Sequence, residues 1–183
     1  SVNLPPKSSF MAIDQREADI LSLLHPELKK KVEKMLELCR TAGLAVYIFE
    51  GLRSIDRQRE LYAKGRDANG IVVDKKLVVT NAKPGSSYHN YGLAVDIVFD
   101  GDTAKPGIQW TWDNSKPWTK MGAMSEAAGL EWAGRWRTFP EMPHSQLKIP
   151  GIGIHELQEF HRNGGMPNVW AKVDDALGLT PIS

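Results

Sequence analysis

The stretch GLAVDIVFD, residues 92–100, has the composition of a β-strand, with branched and aromatic apolar side chains and a glycine at its start. Asp96 stands in the apolar middle of this stretch. A buried carboxylate is costly unless it is paired with another group or bound to a metal ion. The stretch therefore predicts a buried strand that carries one functional acidic side chain. The alternative is an aspartate that merely caps a turn.

The segments around this strand alternate between helical and strand-like patterns without a regular βαβ rhythm. A helix is predicted from Asp14 to near Pro26, and a second, amphipathic one over residues 27–43, ended by Gly43. Ser54 is placed to cap a third helix. Strands are predicted at 44–50, 92–100, 130–132 and 143–147, further helices at 118–128, 154–165 and 168–178, and loops with room for a hairpin at 67–87. This order predicts an α+β fold.

The composition is that of a globular protein with balanced charge. The 183 residues suit one domain, and 23 basic against 22 acidic groups argue against nucleic acid as the main partner. No stretch approaches the roughly 18 consecutive apolar residues of a membrane helix, and the opening SVNLPPKSSF lacks the pattern of a secretory signal. Cys39 lies at helical spacing with Leu28, Val32 and Leu36, which predicts a core residue rather than a nucleophile.

His89, seven residues before Asp96, is the first candidate partner for that carboxylate. If His89 ends a loop and Asp96 points inward from the following strand, both side chains reach one site, and Gly92 and Ala94 leave room beside them. A catalytic zinc ion commonly takes three protein ligands and leaves a fourth position for water. The pair therefore predicts a metal site that lacks one ligand. The alternative for His89 is an ordinary loop histidine.

His144, in the segment FPEMPHSQL, is the best candidate for the third ligand, and Glu141 stands three residues before it. A carboxylate close to a ligand but not itself bound can take a proton from an activated water and deliver it to a leaving amine. Alone, a glutamate in a proline-rich turn is usually only solvated. Glu141 and His144 indicate a catalytic metal site only in combination with His89 and Asp96.

The remaining histidines are predicted to have structural or solvent-exposed roles. His155 begins HELQE, which has Glu159 where the second histidine of a zinc-protease helix would stand. His161 lies six residues beyond His155 and therefore on another helix face. His25 precedes Pro26 at a helix boundary.

Three further features leave alternatives open. Five of the six tryptophans fall between Trp110 and Trp136, where they form either core or one wall of a binding cleft. Arg53, between a strand and a helix, either orients an anionic group or pairs with a neighbour. The segment DGD at 100–102 opens like a calcium loop but lacks the later acidic ligands, so a turn is predicted.

Combined, these residues resemble a known signature. The pattern S-x-H-x-x-G-x-A-x-D is formed by Ser87, His89, Gly92, Ala94 and Asp96. It resembles that of the zinc-dependent peptidoglycan peptidases, which include D-alanyl-D-alanine carboxypeptidases and dipeptidases, and Glu141 with His144 matches their E-x-x-H. The amino-acid sequence of residues 51–66, 82–98 and 129–136 resembles that of the L-alanyl-D-glutamate endopeptidase branch, found in bacterial cell-wall hydrolases and phage endolysins. The resemblance spans roughly 44–146.

The resemblance implies a role for each candidate residue. The implied ligands of Zn²⁺ are His89, Asp96 and His144. Glu141 is implied to be the general base and then the acid. Arg53 is implied to face the substrate carbonyl or a carboxylate, and Ser87 to help position the peptide.

The resemblance also implies a fold, a substrate and a place of action. The fold is a small antiparallel sheet flanked by helices, as in the D,D-peptidases and hedgehog domains. We expect one peptidase domain over 1–183, with N-terminal helices to residue 43, a catalytic core over 44–146 and a C-terminal helical segment over 147–183. The expected partner is the stem peptide of peptidoglycan. The expected protein is a monomer of the bacterial cell envelope, periplasmic or secreted, or a phage lysis protein.

Two departures leave the scissile bond open. The endopeptidase branch usually has Asp where this chain has Glu141, and an aromatic residue where it has Ser145. Glutamate at the base position is typical of the carboxypeptidase and dipeptidase relatives. Removal of a terminal D-alanine is therefore an alternative to cleavage between L-Ala and D-Glu. A zinc-binding domain of the same fold without turnover is a third hypothesis, although the presence of both Glu141 and Arg53 speaks against it.

Overall fold

A computed structural model describes residues 7–179 of the chain, which fall into two compact units. The first comprises the described residues up to Gly51 together with Leu93–Lys148. The second comprises Leu52–Gly92 and the described residues from Ile149 on. Residues 1–6 and 180–183, which belong to the expected domain, lie outside this description. The organisation as a single peptidase domain stays a prediction.

The described chain contains six α-helices and five β-strands, besides short 3₁₀ turns. The helices are α1 (Lys7–Ser22), α2 (Pro26–Thr41), α3 (Ile55–Ala63), α4 (Trp118–Ala127), α5 (Ile154–Arg162) and α6 (Gly165–Leu177). The strands are β1 (Val46–Glu50), β2 (Ala94–Asp100), β3 (Trp110–Thr111), β4 (Leu130–Trp132) and β5 (His144–Leu147). Helix α1 begins seven residues before the predicted Asp14. Within residues 7–179, no helix combines the length and hydropathy that crossing a membrane requires.

All five strands form one antiparallel sheet in the first unit, in the order β1-β2-β5-β4, with β3 paired to the end of β2. Strand β2 is the central one, and most of its side chains are buried. This confirms the α+β prediction and the small antiparallel sheet. Strand β3 was not predicted, because two residues are too short to show a period-2 pattern.

Helix α2 supplies a buried apolar face to the first unit. Its buried residues are Leu28, Val32, Met35, Leu36 and Cys39. The prediction of Cys39 as a core residue is therefore confirmed. Burial raises the pKa of the Cys39 thiol to about 11, against a smaller lowering by Arg40. The thiol is consequently protonated and poorly nucleophilic at neutral pH.

Of the two local features predicted in the second unit, the helix cap is present and the hairpin is not fully formed. Ser54 caps α3, since its hydroxyl accepts a hydrogen bond from Arg57 N at 3.0 Å. The hairpin is reduced to an isolated bridge between Arg66 and Val72. The carbonyl of Gly65 accepts from the backbone amides of residues 73 and 74, at 2.9 and 3.1 Å, so these amides are not available to a strand ladder.

The Trp132 indole is enclosed by two glycines of the first unit. A methyl group at Gly122 of α4 or at Gly134 would overlap the atoms of this ring. Glycine therefore allows the closest approach of helix α4 to the sheet. Trp132 is 4% exposed, so its ring lies in the core.

The Gly122→Ala variant is expected to lower the free energy of unfolding by about 1–3 kcal/mol, the usual cost of overpacking a core. Because the added methyl group would lie 2.2 Å from atoms of the Trp132 ring, we expect a cost near the upper end of this range, which exceeds the roughly 1 kcal/mol that alanine gains over glycine in helix propensity. Chemical denaturation followed by tryptophan fluorescence measures the change. The control is Ala123→Gly at the next, exposed position, which reports propensity alone. A Gly122→Ala variant as stable as the parent would contradict this packing.

Candidate metal centre

Glu141 and His144 are held together by a tight turn that leads into β5. The backbone amide of His144 donates to Glu141 O at 3.3 Å, and that of Glu141 donates to Ala133 O at 3.1 Å. Trp132 Nε1–H donates to Met142 O at 2.7 Å, inside the turn. The E-x-x-H segment is thus attached to the end of β4 by hydrogen bonds, and one turn presents both candidate side chains.

Asp96 of β2 is directly opposite His144 of β5 in the sheet register. Its Oδ1 lies 3.5 Å from His144 Nδ1, and Glu141 Oε2 lies 3.7 Å from the same nitrogen. The histidine ring is buried, whereas 19% of the Asp96 side chain and 24% of the Glu141 side chain remain exposed. Two carboxylates therefore surround one ring nitrogen, which favours a cation at that position.

This electrostatic environment affects the protonation of the ring. Burial lowers the pKa of His144, but the hydrogen bond and charge of Asp96 and the charge of Glu141 raise it, and the net pKa lies above the ordinary 6.5. Metal ligands must be deprotonated, so a divalent cation competes with the proton for this nitrogen.

His89 lies in a 3₁₀ turn, Tyr88–Tyr91, that directly precedes β2. The Ser87 hydroxyl accepts from His89 N at 3.2 Å, and Asn90 Oδ1 accepts from Ser87 N at 3.3 Å. Gly92, with φ of 69°, ends the turn in the left-handed region that glycine tolerates. The position predicted as the end of a loop is therefore an ordered, capped turn, and His89 is 1% exposed.

The C-terminal helices of the second unit hold this turn from outside the motif. Trp170 Nε1–H of α6 donates to Tyr91 O at 2.8 Å. Gln158 Nε2 of α5 donates to Gly85 O at 3.2 Å and to Ser86 Oγ at 3.0 Å. The segment that carries His89 thus depends on residues about 70 to 80 positions away in the chain.

Arg53 is attached to the same turn through its backbone. Its amide donates to His89 O at 2.9 Å, and its carbonyl accepts from Asn90 Nδ2 at 3.0 Å. The guanidinium donates from Nη1 to Gln58 Oε1 at 3.0 Å, and the residue is 8% exposed. The guanidinium is therefore held in a defined orientation. Its role toward a substrate stays a prediction, as does that of Ser87.

The structure brings two of the predicted ligands, Asp96 and His144, together in the first unit. The third predicted ligand, His89, lies in the capped 3₁₀ turn of the second unit. Two imidazole nitrogens and one carboxylate oxygen match the donor set of three-ligand catalytic zinc sites. The residues present therefore fit a zinc ion by the chemistry of their donors.

The other histidines lie elsewhere. His25 is buried and caps α2, with its Nδ1 accepting from Glu27 N at 3.1 Å. His155 and His161 are exposed on α5, and the His161 ring packs edge-on against Tyr91 at 5.8 Å between centroids. These positions agree with the structural and solvent roles predicted for them.

The structure also shows where the tryptophan cluster and the DGD segment lie. Trp118 and Trp132 are core residues, whereas Trp112 is 49% exposed, so the tryptophan cluster is divided between interior and surface. Asp100 Oδ1 accepts from the backbone amides of Asp102 and Gln109 at 3.0 and 3.1 Å. The DGD segment therefore forms a turn, as predicted.

Sequence reasoning missed the residues that hold the candidate ligands in place. These are Trp132, Gln146, Gln158 and Trp170. One of them had a local signal: Gln146 follows His144 by two residues on a strand, so both side chains point to the same face of the sheet. Trp132 acts on Met142, 10 residues away, and Gln158 and Trp170 act on residues more than 70 positions away; no local pattern reports these contacts.

Comparison with known proteins defines the class. Residues 21–140 match the family model of D-alanyl-D-alanine carboxypeptidases (VanY), and the chain belongs to this family of peptidoglycan peptidases. The match includes two of the candidate ligands, His89 and Asp96, and ends directly before Glu141. The described structure supplies the geometry of the remaining turn.

Individual relatives are similar over most of the chain. The chain is 33% identical to the peptidoglycan L-alanyl-D-glutamate endopeptidase CwlK of Bacillus subtilis over 139 residues, which cover 72% of this chain and 78% of that protein. The crystal structure of the L-Ala D-Glu endopeptidase ChiX of Serratia marcescens matches with a TM-score of 0.51 and 26% identity, covering 73% of this chain and 86% of that one. VanYB in complex with D-alanine-D-alanine shares the fold, with a TM-score of 0.51 and 17% identity over 86% of this chain and 84% of that one.

Proposed function

We propose that this peptidoglycan peptidase is zinc-dependent and hydrolyses the bond between L-alanine and D-glutamate in the stem peptide. The observation that carries the proposal is the approach of Asp96 Oδ1 to 3.5 Å from His144 Nδ1, with Glu141 Oε2 3.7 Å from the same nitrogen; His89 is the proposed third ligand. When bound there, Zn²⁺ supplies Lewis acidity, which makes water a competent nucleophile near neutral pH and polarises the amide carbonyl. In this proposal the protein is a monomer that acts at the bacterial cell wall, from the envelope or as a phage lysis protein.

Glu141 carries the proton transfers in this proposal. Its carboxylate lies 3.7 Å from His144 Nδ1 and remains 24% exposed, so a substrate water has access to it. The carboxylate takes a proton from the attacking water, whose oxygen bonds to the amide carbon. The carbon–nitrogen bond then breaks, and Glu141 returns the proton to the departing amine.

Arg53 and Ser87 complete the proposed substrate contacts. The Arg53 guanidinium, oriented by Gln58, stabilises negative charge on the carbonyl oxygen or binds a stem-peptide carboxylate. The Ser87 hydroxyl already accepts from the His89 amide, and its own hydrogen can be donated to a peptide carbonyl.

The endopeptidase specificity is supported by the 33% identity with the Bacillus subtilis enzyme over 72% of the chain. A second candidate, removal of a terminal D-alanine, is favoured by one residue, the glutamate at position 141. The two activities differ in their products, because the endopeptidase separates the stem from the muramyl L-alanine, whereas the carboxypeptidase releases one alanine.

The proposed function is tested by digesting purified peptidoglycan with the zinc-loaded protein and identifying the muropeptides by mass spectrometry. We expect loss of the stem from D-glutamate onward, with L-alanine left on the muramyl residue. A parallel digestion with a chelator is expected to give no products until zinc is restored. Loss of a single alanine would assign the carboxypeptidase activity instead. Intact peptidoglycan with confirmed bound zinc would identify a non-catalytic zinc domain.

A further inference from the structure

A chain of hydrogen bonds leads from the candidate ligand His144 to the surface of the sheet. His144 Nε2 lies 2.8 Å from Gln146 Oε1, and Gln146 Nε2 donates to Glu131 Oε2 at 3.0 Å. Trp136 Nε1–H donates to the other carboxylate oxygen, Glu131 Oε1, at 3.2 Å. Both His144 and Gln146 are buried, at 5% and 8% exposure. We call these four side chains the His144 relay.

The strand register makes this relay a direct consequence of the fold. Glu131 of β4 is paired opposite Gln146 of β5, so their side chains leave the same face of the sheet side by side. Gln146 follows His144 by two residues and lies on that same face. Three members of the relay, His144, Gln146 and Glu131, are therefore positioned by two paired strands rather than by a loop.

The charge of Glu131 dictates the direction of every bond in the relay. An ionised carboxylate only accepts hydrogen bonds, so the Gln146 amide must present its NH₂ group to Glu131 and its oxygen to His144. An oxygen accepts, so His144 Nε2 must carry the hydrogen. In the neutral ring the lone pair then resides on Nδ1, the nitrogen that lies 3.5 Å from Asp96 Oδ1 and 3.7 Å from Glu141 Oε2.

We propose that Gln146 and Glu131 are positioning residues that make Nδ1 of His144 the metal-binding nitrogen. The inference rests on the proposed zinc site and deepens it. A ligating histidine that donates its other ring N–H to a fixed acceptor has a defined tautomer, a defined ring orientation and a more basic ligand nitrogen. Here the acceptor is an amide that is itself oriented by a carboxylate, so the charge of Glu131 acts on the ligand through Gln146.

The test compares zinc affinity among variants of the full chain, measured by competition with a chromophoric chelator. Gln146→Met keeps the length of the side chain but removes the acceptor, and it is expected to weaken zinc binding about 10- to 100-fold, the usual effect of losing an outer-shell partner. Glu131→Gln keeps the shape but allows the Gln146 amide to turn over, and a smaller loss is expected. The double variant is expected to bind zinc as Gln146→Met alone does, because Glu131 acts through Gln146.

A second readout reports the ring nitrogen itself. Nitrogen-15 NMR of the zinc-loaded parent is expected to show His144 bound through Nδ1, with a slowly exchanging proton on Nε2. In Gln146→Met the chemical shift of this proton is expected to move upfield, because its hydrogen-bond acceptor is gone, a change that general destabilisation of the fold does not cause. The more conservative Glu131→Gln supplies the same signature, in weaker form, if Gln146→Met folds poorly.

Matched controls make the same chemical changes away from the relay. Gln109→Met alters an amide that donates to Pro106 O, and Glu33→Gln removes a negative charge from an exposed position of α2. Both are expected to bind zinc as the parent does. Zinc affinity within twofold of the parent in both relay variants, ligation of the parent through Nε2, or strictly additive losses would overturn the relay while leaving the peptidase proposal standing. A parent that binds no zinc would refute both.

Discussion

The Glu141→Gln variant is expected to keep its zinc while its rate of muropeptide hydrolysis falls by about 10²–10⁴-fold, the usual share of a general acid–base group. Glutamine has nearly the same shape as glutamate but cannot accept a proton from water or return one to the amine. The turn that carries residue 141 is held by backbone bonds to Ala133 and His144, which the substitution leaves in place. The loss should therefore lie in kcat rather than in folding or metal binding.

Three measurements separate these effects: zinc content after dialysis, thermal unfolding, and initial rates on a defined muropeptide. The matched control is Glu60→Gln, which makes the same change on the exposed surface of α3 and should behave as the parent does. If Glu141→Gln hydrolysed the substrate at a near-parental rate, Glu141 would not be the base. If it lost its zinc, Glu141 would instead contribute to metal binding.

The Asp96→Ala variant is expected to have the second large effect, through loss of the metal. Removing the carboxylate leaves two histidines of a three-ligand set, and three protein ligands are the norm for catalytic zinc. We expect zinc affinity to fall by more than the roughly 10–100-fold that the loss of an outer-shell partner causes. Hydrolysis at equimolar zinc is then expected to fall below detection.

The effect of Asp96→Ala is measured by chelator competition and by rates over a series of zinc concentrations. Because Asp96→Ala weakens the binding of zinc, excess zinc should restore part of its activity. Excess zinc is not expected to restore the activity of Glu141→Gln. Asp102→Ala, in the neighbouring turn and paired with Lys105, is the control and should bind zinc normally. An Asp96→Ala variant with parental zinc affinity would remove Asp96 from the ligand set.

Much of the fold was predictable because it depends on short-range patterns. The branched and aromatic residues around Asp96 predicted a buried strand, which is β2, and Ser54 predicted the start of α3 through one side-chain cap. The spacing of Cys39 with other apolar residues predicted the buried face of α2. Residues 67–87 are mostly loop, as predicted, and the hairpin for which they left room is reduced to one bridge, because the Gly65 carbonyl accepts amide hydrogens that a ladder would use.

For the candidate site, too, some properties were predictable from the sequence and others were not. The sequence by itself determined which residues have the right chemistry: His89, Asp96, Glu141 and His144 are recognisable by residue type and spacing. Only the tertiary structure decided how Asp96, Glu141 and His144 face one another. The orientation of the His144 ring depends on Gln146 and Glu131, on paired strands.

The turn that carries His89 shows the same dependence on distant residues. It is held by Trp170, 79 positions beyond its partner Tyr91, and the E-x-x-H turn is held by the indole of Trp132. The physical reason is that the order of residues along the chain shows which side chains are present and which hydrogen bonds can form between near neighbours. The distance between ligands and the direction of their lone pairs are set by packing between segments far apart in sequence.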